Sequence, residues 1–235
     1  MDTNVVTRFD QGPEDVYLIG ADQQLAAAYY RNTIVHFFLY LSIAELAVLK
    51  ACEHDVEQPV DAFWAEAMSL RDLLKFEFFF EDKDAYRNRL AKELFIHDQS
   101  WESRLEAGEG ASMVRHFRPF TSHRVLRPFL ESYRVVADNL NRMGSEAVLE
   151  DEPFLESCLA LGRQYQLQRR IGNSASVSKV LFSSALKLAR NRNLVEPAVE
   201  VEVAREAFAL ELQDVIRRID GIAALAASRQ AGMIS

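Results

Sequence analysis

Thr33-Ile34-Val35-His36-Phe37-Phe38-Leu39-Tyr40-Leu41-Ser42-Ile43-Ala44-Glu45-Leu46-Ala47-Val48-Leu49 decides how this chain folds. Only Thr33, His36, Ser42 and Glu45 interrupt the apolar run, and these four do not share one helical face. A helix that is apolar all round must be buried, in protein or in lipid. The run is at the short limit for a bilayer span. Glu45, near its middle, would add roughly 3 kcal/mol to the cost of insertion. The reading is a central core helix, with membrane insertion as the alternative. It sits in a longer first helix from Gln23 to Ala51, for which Asp22 is a suitable N-cap.

Working outward, residues 1–20 form a polar lead-in in which Val16-Tyr17-Leu18-Ile19 reads as one short strand ended by Gly20. After Pro59, helices are expected over Val60–Phe80 and Asp84–Ile96. A polar piece from Asp98 to Leu105 follows, ended by Gly108 and Gly110. Ser122–Met143 is helical, with Pro128 kinking it or starting it anew. Three further helices are expected, from Asp151 to Arg169, Ser176 to Asn193 and Val199 to Ala227. The fold class is therefore all-α, a multi-helix bundle with a long buried first helix and one short N-terminal strand. Residues 1–20 lead in, and residues 21–235 make the helical domain.

Composition agrees. Apolar residues are 49% of the 235, so a core can form without disulfides. Nine glycines and six prolines leave room for long helices. A net charge of −8 argues against a nucleic-acid partner, which would call for a basic balance. Cys52 and Cys158 lack metal-ligand spacing and read as reduced, buried thiols of a cytoplasmic protein.

Common catalytic patterns are missing. There is no His-Glu-x-x-His, no pair of Glu-x-x-His motifs, no glycine-rich phosphate loop and no Gly-x-Ser-x-Gly elbow. No metal site and no cofactor are expected. His36 has Asn32 one turn before it and Tyr40 one turn after, which suits a packed, satisfied imidazole, with a ligand or proton role as the alternative. The segment Arg115 to Arg134 gathers Arg115, Arg118, Arg124, Arg127 and Arg134 against a single Glu131. Two readings stand for it. Arg115, Arg118, Arg124 and Arg127 contact phosphate or lipid head groups, or the arginines pair with acidic helices, chiefly the last. The cluster Phe76-Glu77-Phe78-Phe79-Phe80 is either docked in the core or exposed to a partner or membrane.

Five stretches in order carry a resemblance. They are Tyr29-Tyr30-Arg31-Asn32-Thr33-Ile34-Val35-His36-Phe37-Phe38, Leu70-Arg71-Asp72-Leu73-Leu74-Lys75-Phe76-Glu77-Phe78, Leu126-Arg127-Pro128-Phe129, Gly162-Arg163-Gln164-Tyr165 and Asn193-Leu194-Val195-Glu196-Pro197. Together they resemble the carboxy-terminal region of the glycerol-3-phosphate acyltransferases, most closely the actinobacterial form. The resemblance implies structural roles for Tyr29, Tyr30, Arg31, Asn32 and His36. It also implies a link to the first acylation of glycerolipid synthesis, in which an acyl group passes from a thioester carrier to glycerol 3-phosphate. The family's catalytic His-x-x-x-x-Asp lies upstream of the matched region. Here the residues five after each histidine are Leu41, Pro59, Glu102, Thr121 and Pro128, and none is aspartate. The family's Phe-x-x-Glu-Gly pattern is also missing. No catalytic residue carries over. What the resemblance implies is a helical tail that partners an acyltransferase catalytic domain, on the same or a separate chain. Its expected place is peripheral, at the cytoplasmic face of the inner membrane, with an anionic membrane surface as a further partner. The alternative is a free-standing, non-catalytic regulatory module.

Overall fold

The computed structural model describes residues 5–20, 23 and 33–233. The chain divides into two units, residues 1–38 and residues 39–235. Asp22, Tyr29, Tyr30, Arg31 and Asn32 lie outside the described residues.

In the first unit, β1 (Thr7–Phe9) and β2 (Val16–Leu18) form an antiparallel hairpin with Arg8 opposite Tyr17. An Arg8–Asp15 ion pair at 2.9 Å braces it. The sequence suggested only the second strand. Thr7-Arg8-Phe9 is too short to show an alternating pattern, so its pairing was hidden. A 3-10 turn, Val35–Phe38, follows later in the unit. His36 lies on this turn and is exposed, stacked against Phe37 with ring centroids 4.0 Å apart. This differs from the expected packed imidazole within one continuous α-helix.

The second unit is helical. Its α-helices are α1 (Leu39–Ala51), α2 (Pro59–Leu74), α3 (Lys83–His97), α4 (Trp101–Glu106), α5 (Gly110–Val114), α6 (Ser122–Val125), α7 (Arg127–Leu140), α8 (Asp151–Leu167), α9 (Lys179–Asn191) and α10 (Val201–Gln230). With ten α-helices and one two-stranded hairpin among the described residues, the fold is all-α. Two helices organise the unit. The first, α1, touches α2, α3, α5, α6 and α10; α7 touches α6, α8, α9 and α10.

Every residue of α1 from Leu39 to Val48 is buried, as the apolar run demanded. Burial of each large aliphatic there contributes roughly 2 kcal/mol. Among the described residues no helix is long and apolar enough to cross a membrane. Glu45 is the exception to the apolar pattern, and the fold uses it. Its carboxylate accepts the N–H of Thr121 at 2.7 Å and the N–H of Ser122 at 2.9 Å. The Thr121 hydroxyl also donates to it, at 3.2 Å. These are donors that the start of α6 cannot satisfy internally, so a side chain of α1 caps α6. Burial pushes the Glu45 carboxyl above its usual range, while the hydrogen bonds from Ser122 and Thr121 pull it back.

Pro128 occupies the first turn of α7, so it starts a new helix rather than kinking a long one. The helices α4 and α5 were not expected. Gly108 and Gly110 were read as breakers, yet only Gly108 adopts a left-handed conformation, with φ of 76°, and Gly110 opens α5. Cys158 is buried as expected, but Cys52 is exposed, because it follows the last turn of α1.

Candidate functional site

In the second unit the second and third signature stretches meet, and the fourth and fifth are each held by residues of other elements. Arg71 on α2 donates to the Glu81 carbonyl at 2.7 Å and lies against the Phe80 and Tyr86 rings. Its neighbour Asp72 accepts from Lys75 at 2.7 Å and from Arg192, just past α9, at 3.2 Å. Glu77 accepts the Tyr133 hydroxyl at 3.2 Å, and burial pushes its carboxyl up to about 6. Phe78 meets Phe129 edge to face, which ties the second signature to the third. In the fourth, Tyr165 donates to Asp138 at 2.7 Å and Arg170 stacks on its ring. Gly162 leaves α8 room for its neighbours: a Cβ there would stand 3.2 Å from Val177 and 3.3 Å from Phe182.

The fifth signature is held by a residue the sequence did not single out. Arg205, near the start of α10, is fully buried. It donates to the carbonyls of Leu194 at 2.8 Å and Val195 at 3.3 Å, and to those of Met143 at 3.1 Å and Gly144 at 3.3 Å. These carbonyls follow the C-terminal ends of α7 and α9, where helix dipoles present negative charge. A guanidinium needs that compensation when no carboxylate touches it. Its five fixed donors suit a fan of carbonyls.

The arginine segment splits in two. Arg127 donates to Asp220 of α10 at 2.7 Å and reaches Glu131 at 3.5 Å. Arg134 lies 3.5 Å from Asp138. Arg127 follows the ion-pairing reading, while Arg134 pairs within its own helix. Arg115, Arg118 and Arg124 are exposed and have no acidic partner among the described residues. The loop bearing the first two is clamped by a further cation, Arg229 of α10. Arg229 donates to the carbonyls of Phe117, at 2.9 Å, and Arg115, and lies over the Phe120 ring at 4.3 Å. The aromatic cluster divides as well. Phe78 and Phe80 are half-buried, whereas Phe79 is 90% exposed.

Among the described residues no histidine is hydrogen-bonded to a carboxylate. His97 Nε2 lies 3.8 Å from Glu93 on its own helix. His116 Nδ1 meets the Ser112 carbonyl at 2.8 Å. His123 stands beside Arg124 and Arg127, and burial together with those charges lowers its pKa. Among the described residues no group of three metal-ligating side chains comes together. A groove along α10, lined by Arg134, Leu210, Asp214, Arg217 and Asp220 among others, holds no histidine or cysteine.

Residues 1–198 match the family described as the glycerol-3-phosphate acyltransferase C-terminal region. Relatives named "Putative acyltransferase plsB1" in Mycobacterium bovis and Mycobacterium tuberculosis are 39% identical over 230 residues, covering 95% of this chain. The chain spans 37% of the length of these curated relatives. No solved structure matches it. With the family model matched over most of its length, the chain belongs to the glycerol-3-phosphate acyltransferase C-terminal-region family.

Proposed function

We propose that this chain is the helical support of a glycerol-3-phosphate acyltransferase and performs no acyl transfer alone. It packs against a catalytic domain that carries the His-x-x-x-x-Asp base. The observation that carries this reading is the use of the family's signature side chains. Arg71, Asp72, Arg127 and Tyr165 are each engaged in contacts between helices or between a helix and its adjoining loop. Residues spent on holding helices together are not free to activate a hydroxyl.

The assembled enzyme acts in phospholipid synthesis at the cytoplasmic face of the inner membrane. Arg115, Arg118 and Arg124 supply a local positive face for phosphate-bearing head groups, in a chain whose net charge is −8.

The test is acyl transfer by the purified chain. Acyl-CoA and glycerol 3-phosphate are supplied, and free thiol is measured. No glycerol-3-phosphate-dependent release is expected. Release above a no-protein control would overturn the proposal.

A further inference from the structure

The first unit contains an exposed β-hairpin. All six residues of β1 and β2 are exposed, on both sides of the ribbon. The exposed residues include large apolar ones: Phe9 at 54%, Val16 at 55%, Tyr17 at 64% and Leu18 at 62%. Val6 and Ile19, flanking the strands, are exposed too. A ribbon of two three-residue strands is marginal in water without a layer to pack on. An apolar surface of this kind usually marks a contact.

We infer that this hairpin is the docking element for the acyltransferase portion that precedes the C-terminal region in longer members of the family, where it joins that portion's sheet or lies on its apolar face. This rests on the support role proposed above. Three observations select the occupant. The matched family is by its own description a C-terminal region, and the curated relatives extend far beyond it, with the match covering 37% of their length. The rest of a longer member therefore joins at the hairpin's end of this region. Second, among the described residues neither edge of the two-stranded ribbon pairs with a further strand, which leaves edge backbone N–H and C=O groups to be paired. A protein sheet can pair them; lipid cannot. Third, Asp10, Glu14 and Asp15 are exposed in the connecting loop, and Arg8 offsets only Asp15. That acidic tip is repelled by anionic head groups. A protein partner fits all three observations, and a membrane surface fits neither of the last two.

The test is hydrogen exchange, read by mass spectrometry on two intact proteins. One is this chain. The other is the longer Mycobacterium tuberculosis relative, of which the match covers 37%. In this chain the amides of residues 7–18 are expected to exchange within seconds. In the longer protein the aligned segment is expected to exchange at least ~100-fold more slowly. Equal and fast exchange in both overturns the inference. Slow exchange already in this chain also overturns it, because the hairpin would then need no outside cover. Protection that appears only with anionic phospholipid vesicles, or that fades on dilution, assigns the hairpin to lipid or to a second copy and overturns it too. Chemical cross-linking of the longer protein separates this inference from the support role. Cross-links between the portions that avoid the hairpin segment sink the docking element alone. A complete lack of cross-links between them sinks both.

Discussion

Arg205 ties together two turns of the second unit, those after α7 and α9. It places one charge against four carbonyls from two chain turns. Arg205→Ala leaves those acceptors dry, and is expected to cost at least about 3 kcal/mol. The check is a urea midpoint that falls without a change in slope. Arg205→Lys should recover only part of the loss, since an ammonium cannot serve the fan of acceptors a guanidinium reaches. Glu77 offers a pH test. Its carboxyl is pushed from an ordinary 4.5 up to about 6 by burial. The folded chain therefore holds this proton more tightly than the unfolded one. The resulting stabilisation is full below pH 4.5 and is lost as pH rises through about 6. Glu77→Gln, which keeps an acceptor for the Tyr133 hydroxyl, should raise stability near pH 7.5 by about 1–2 kcal/mol and leave it nearly unchanged near pH 4. Thermal melts at the two pH values decide it. A gain of equal size at both would show that the charge is not the cause.

Among elements, the contact of α8 with α9 and the loop before it depends on Gly162. A methyl there presses on Val177 and Phe182. Gly162→Ala gains helix propensity but overpacks, and a net loss of about 1 kcal/mol is expected. A raised melting temperature would mean that Val177 and Phe182 yield without strain. Much at this scale was readable from sequence. The buried α1 announced itself because no polar face interrupts it, and Pro128 marked a break, though not whether it kinked one helix or began another. What could not be read depended on partners far along the chain. Glu45 looked like a flaw in a core helix, because its donors lie 76 and 77 residues away. Nothing in the sequence singled out Arg205, because backbone carbonyls leave no trace in side-chain identity. The arginine segment was visible as a cluster, but its division was not. Arg127 finds Asp220 only because α10 returns across α7.

At the scale of the whole molecule, the local basic face makes a prediction that net charge does not. Arg115→Glu combined with Arg124→Glu should weaken binding to anionic phospholipid vesicles at least ~10-fold near 0.1 M salt. Arg127→Glu should instead lower the melting temperature, since that side chain is spent on Asp220 and Glu131. Vesicle sedimentation beside thermal melts separates the two, and binding indifferent to both salt and Arg115 would remove the membrane from the account. The last helix has a consequence for the order in which this protein is made. Phe208, Leu212, Val215, Ile219 and Ile222 of α10 fill the core, Arg205 ties two earlier turns and Arg218 pairs with Glu66 of α2. A ribosome releases that helix after the other described helices of the unit. Those helices must therefore wait, loosely gathered and with their apolar faces open, until α10 emerges, so a product cut short before α10 would fall to chaperones and proteases rather than persist as a smaller folded protein.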